Sequence, residues 1–70
     1  MFNKTIEERT CFNIMNLGIR EATEMIRERG LVDRVVWRDG KDFPSKDPCY
    51  ISSRINIKVR RGKVVSAMIG

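Results

Sequence analysis

The sequence predicts an α+β domain, with one main helix over about residues 19–29 packed on a small three-stranded mixed sheet. Three observations predict it. In GIREATEMIRERG, Ile19, Ala22, Met25 and Ile26 recur at three- and four-residue steps and so share one helical stripe. In RINIKVR, Ile55, Ile57 and Val59 alternate strictly with Arg54, Asn56, Lys58 and Arg60, the pattern of a strand with one core face and one polar face. VVSAMI then follows a turn centred on Gly62, which closes a hairpin.

The elements follow in chain order. Thr5-Ile6-Glu7-Glu8 reads as a capping box, a hydroxyl for an orphan N–H and a carboxylate three residues later. It opens a short helix to about Asn16, with Ile6, Cys11, Ile14 and Met15 as its expected apolar side. The helix over 19–29 has Glu21 and Glu24 near its start and Arg27 and Arg29 near its end, which complements the dipole. Gly30 stands where a left-handed terminating residue is wanted. Val35, Val36 and Trp37 form a short β-favouring run ended by Asp39-Gly40. A long exposed loop over 38–49 holds both prolines, and loops of that length in small domains are usually functional or disordered. If the first strand pairs with the second in parallel, that loop must cross from one end of the sheet to the other. Residues 1–70 read as a single small domain, with 1–16 as a helical extension of a core over 17–70.

Composition narrows the function. No apolar run approaches a membrane span, and MFNKTIEERTCFNIM lacks the apolar stretch of a secretion signal, so the expected location is cytoplasmic. Cys11 and Cys49 have no metal-site spacing and the chain has no histidine; they read as two thiols or one long-range disulfide, according to compartment. There is no glycine-rich phosphate loop, no nucleophile–base pair and no ligand cluster, so neither an enzyme nor a cofactor, metal or small-molecule ligand is expected. The net charge of +5 concentrates at Lys58, Arg60, Arg61 and Lys63, a basic patch. With Tyr50 the only aromatic near it in sequence, the patch reads as a solvated face whose affinity for nucleic acid is sequence-independent.

From Ile14 onward, GIREATEMI, the Val35–Trp37 run, YISSRINIKV and the closing GKVVSAMIG together resemble the potato inhibitor I family, most closely its small fungal and bacterial elastase inhibitors. The resemblance implies a loop held in a substrate-like shape before Tyr50, presented to a serine protease and cleaved slowly because it is ordered in advance. It implies that Arg54 reaches back to brace the loop and that Asn56, where the plant members carry Arg, supports it. The contact residues it implies are Lys41, Phe43, Pro44, Lys46, Asp47, Pro48, Cys49 and Tyr50. Counting back from Tyr50 puts the scissile pair at Pro48–Cys49, where proline offers no N–H to the protease main chain. The reactive residue would then shift to Lys46 or Phe43, and Asp47 could pair with Arg54. The same fold could also serve a protein of phage or mobile-element type that blocks a host factor other than a protease. The expected partner in either case is a protein, not a membrane.

Overall fold

The computed structural model describes residues 4–43 and 49–70. Two helices, α1 (Ile6–Asn13) and α2 (Ile19–Glu28), precede four strands: β1 (Val32–Arg38), β2 (Lys41–Asp42), β3 (Arg54–Arg60) and β4 (Lys63–Ile69). The sheet order is β2-β1-β3-β4, with β1 parallel to β3 and the two outer pairs antiparallel. An α+β fold with a mixed sheet is thus present, and the parallel pairing makes the segment between β1 and β3 a crossover. The expected three strands are four among the described residues.

The helices end where their chemistry directs. Thr5 accepts from the Glu8 N–H while the Glu8 carboxylate accepts from the Thr5 N–H, completing the capping box of α1. Helix α2 closes in a Schellman motif: Gly30 takes φ +73° and its N–H donates to Arg27 O, while the Leu31 N–H donates to Ile26 O. Leu31 and Ile26 are both buried, supplying the apolar contact that accompanies this cap. Helix α1 is shorter than expected and stops at Asn13. Its buried residues also differ, because Ile6 and Met15 keep 46% and 37% of their surface in water while Thr10 is fully buried. The Thr10 hydroxyl donates to Ile6 O at 2.7 Å and accepts from Arg29 Nη1 at 3.0 Å, so a polar contact joins the two helices.

The core is Ile14, Ala22, Ile26, Leu31, Ile55, Ile57, Val59 and Val64, from helix α2, the residues that end each helix, and the antiparallel pair β3 and β4. The alternation of β3 places Ile55, Ile57 and Val59 in it, each fully buried. Burying each such side chain is worth about 1.5–3 kcal/mol. Residues 16–19 also pair with the outer edge of β4 at its start, through Asn16 N–H to Val64 O and Val64 N–H to Leu17 O, both 2.9 Å. That pairing fixes both helices on one face and leaves the polar face of β3 to other partners.

The first strand runs over seven residues, not three, and Asp39-Gly40 does more than end it. Their φ values of +47° and +88° have the form of a two-residue type I′ hairpin, the geometry that Asp-Gly favours. The chain therefore turns straight back as β2, with Trp37 opposite Asp42 and Arg38 opposite Lys41. The expected loop over 38–49 is corrected accordingly: Arg38 belongs to β1, and Lys41 to a strand rather than to a free contact loop.

Candidate functional site

The candidate site is the point where the crossover returns to the sheet. Ile51 O accepts from the Arg54 N–H at 3.1 Å, a tight turn across Ile51-Ser52-Ser53-Arg54, and Ser53 O accepts from the Val32 N–H at 2.8 Å. These bonds deliver the chain into β3 beside the first residue of β1. Arg54 is the first residue of β3, and the strand's alternation points it away from the helices, on the same face as Asn56.

Arg54 is nonetheless only 7% exposed. Its Nη2 donates to Cys49 O at 2.8 Å and to Gly70 O at 2.6 Å, and its Nε donates to Gly70 O at 3.0 Å. The Gly70 N–H in turn donates to Arg54 O at 2.9 Å. One guanidinium thus joins three stretches of chain: the end of the crossover, the start of β3 and the end of β4. Its planar fork suits this, because several donors leave it in fixed directions and Lys could not reproduce them. Burial of the charge is made tolerable by these charge-assisted bonds.

Gly70 fits tightly. A Cβ there would lie 3.2 Å from Asn56 Nδ2 and 3.5 Å from the Tyr50 ring, and the residue has φ +145°. Asn56 is half-buried beneath this junction, with its Oδ1 buried and unpartnered among the described residues. It therefore packs against the clamp, and no hydrogen bond from it to the crossover is seen among the described residues. Tyr50 is 69% exposed although its ring lies against Gly70, Cys49 is exposed beside it, and Phe43 is exposed at the other end of the crossover. Pro44, Lys46, Asp47 and Pro48 lie outside the described residues, as does the expected pairing of Asp47 with Arg54.

No disulfide joins Cys11 to Cys49. Cys11 packs against the core, and burial, the largest cause, pushes its thiol pKa up. Among the described residues no group of His, Cys, Asp and Glu is placed to hold a metal ion, and no helix is long and apolar enough to cross a membrane.

The residues of the expected basic patch and Arg54 differ in exposure. Lys58, Arg60, Arg61 and Lys63 are exposed at the far end of the sheet, whereas Arg54 is withdrawn into the clamp. Two residues at that far end gain a role that sequence reading missed. Asp39 Oδ1 accepts from the Arg61 N–H at 2.7 Å, tying the β1–β2 turn to the β3–β4 turn. Trp37 lies under the Arg60 guanidinium, 5.4 Å from ring centroid to charge. The Asp-Gly dipeptide was the available signal for the first; nothing in the spacing of Trp37 and Arg60 revealed the second. No family model, curated protein or solved structure matches the chain.

Proposed function

We propose that this chain is a non-enzymatic binding protein of inhibitor type, presenting the crossover between β2 and β3 to a protein target. The observation that carries the reading is the Arg54 clamp. A buried guanidinium holding Cys49 O and Gly70 O fixes the returning leg of the crossover before any partner arrives. A segment ordered in advance loses less conformational freedom on binding, so a small contact gives a tighter complex. The residues that resemble the potato inhibitor I family make a serine protease the favoured class of target. Cys49 and Tyr50, exposed beside the clamp, and Phe43, exposed at the other end of the crossover, are the described contact residues, and Pro44, Lys46, Asp47 and Pro48 complete the set. Pro48 at the counted reactive position favours a second reading, in which the same segment blocks a host protein that is not a protease.

A panel of serine proteases at micromolar protein tests the choice. The first reading expects at least one protease to be held and to cleave the chain slowly within 43–49; uniform inactivity leaves the second. Replacing residues 43–49 with a Gly-Ser linker should keep the fold and remove binding to the captured target. Undiminished binding refutes both.

A further inference from the structure

At the end of the sheet remote from Arg54, the fold assembles a basic and aromatic surface that is scattered in sequence. The β1–β3 register slips between Val35 and Trp37, leaving Val36 as an extra residue. Such a bulge re-aims the side chains that follow it. Here it sets Trp37 directly opposite Lys58 on the sheet face away from the helices. Arg60, two residues further along β3, lays its guanidinium over the Trp37 ring at 5.4 Å. Lys63 stands opposite Arg60 across the β3–β4 pair. The Asp39–Arg61 bond docks the two hairpin turns side by side, and a shallow concavity of about 400 Å³ opens between Trp37, Asp39, Gly40, Arg60 and Arg61. Asp42 lies on the other flank of Trp37, and the Asp39 carboxylate is already engaged by a main-chain N–H. Both carboxylates keep their charge, but Lys58, Arg60, Arg61 and Lys63 outnumber them, so the surface around the ring is net cationic, in a chain of net charge +5.

We infer that this surface binds single-stranded nucleic acid, a base taking the Trp37 ring and the adjoining phosphates taking Arg60, Arg61 and Lys63. Arg60 is exposed, so its hold on the ring is weak and a base can displace it toward a phosphate. Only an unstacked base can reach an aromatic face, which selects a single strand over a duplex. Tyr50 alone was too little for a stacking platform; Trp37 supplies the missing ring at the cationic end. This surface stands apart from the Arg54 clamp and does not depend on the inhibitor reading.

Trp37 is the only tryptophan, so its emission reports occupancy of the surface directly. The full chain would be titrated at several salt concentrations with a short oligothymidylate, a mixed-sequence duplex and polyglutamate. Saturable quenching by the single strand is expected, with log K falling against log salt at a slope of about −2, as three phosphate contacts require. In anisotropy measurements with a labelled oligothymidylate, Arg60→Ala and Arg61→Ala should each make the slope shallower by roughly 0.7. Trp37→Ala should weaken binding about five- to hundredfold, while Trp37→Phe retains most of it. Arg54→Lys should leave it unchanged. The proposal is overturned by absence of quenching at low salt, by equal or tighter binding of the duplex or polyglutamate, or by a folded Trp37→Ala chain that binds as the parent does.

Discussion

Replacing Arg54 should cost the fold more than any other polar substitution and should release the crossover. Arg54→Ala removes charge-assisted bonds to two acceptors, Cys49 O and Gly70 O, at 2.6–3.0 Å. Hydrogen bonds to a charged group contribute about 1.5–3 kcal/mol each, so two acceptors set an upper value of about 3–6 kcal/mol. Freeing a long side chain from one rotamer returns up to about 2 kcal/mol, leaving a net loss of about 1–4 kcal/mol. A chain of this length has a total stability of roughly 3.5–10 kcal/mol, at about 0.05–0.15 kcal/mol per residue. The alanine variant will therefore sit near its unfolding threshold, and Arg54→Lys, which keeps the charge and loses the fork, is the companion to measure. Urea unfolding at an m-value of about 1 kcal/mol/M should show the midpoint falling by about 1–4 M for alanine and by less for lysine. Limited proteolysis within residues 43–53 should accelerate in both variants, and earlier than global unfolding does. Midpoints within about 0.5 M of the parent, with proteolysis unchanged, would refute the clamp.

Gly30→Ala should cost about 1 kcal/mol and lower Tm by about 4–8 °C. Nothing lies within 4 Å of the added Cβ, so φ +73° is the sole cause, and an unchanged Tm would mean the Schellman cap is not held. Asp39→Ala should cost about 1–2 kcal/mol by losing the bond to the Arg61 N–H and by placing Ala at φ +47°, whereas Asp39→Asn should recover most of it in the same thermal melt. With iodoacetamide, exposed Cys49 should be alkylated well before Cys11, because burial keeps the Cys11 thiol protonated above its ordinary range. The sign for stability follows from the same shift: a folded-state pKa raised above the unfolded one means that stability is full below the ordinary thiol pKa and declines as pH rises beyond it, which alkaline melts of the parent and Cys11→Ala will compare.

Much of the fold was legible where one physical signal acted alone. The stripe of Ile19, Ala22, Met25 and Ile26 gave α2 to within a residue, and Gly30 marked its end because only a left-handed residue closes that cap. The alternation in β3 named Ile55, Ile57 and Val59 as core. Errors arose where two signals competed. Asp39-Gly40 both ends a strand and turns a hairpin, and the second meaning carried the fourth strand. Thr10 is a poor helix former whose buried hydroxyl, besides donating to Ile6 O, accepts from Arg29, nineteen residues away, which no local pattern can supply. The site shows the same division. The bond from Arg54 back to Cys49 O spans five residues of chain; its hold on Gly70 required the register of β4 against β3.

That register also accounts for how one polar strand face carries two unlike surfaces. Arg54, Asn56, Lys58 and Arg60 all project from β3 on the side away from the helices, yet their burial falls steadily along the strand, from nearly complete at Arg54 to exposed at Lys58 and Arg60. The cause lies in what covers them. Cys49, Tyr50 and Gly70 close over the first half of the strand, turning a cation into an internal clamp. Over the second half Trp37 lies beneath the Arg60 guanidinium, and Lys58 and Arg60 stay exposed to water. Six residues of strand at about 3.3 Å each put about 20 Å between the two ends, beyond the range at which perturbations of separate contacts couple strongly. The two proposed roles, a protein at the crossover and a polyanion at the turns, should therefore contribute energies that add; the shared element is the buried row of Ile55, Ile57 and Val59 beneath both.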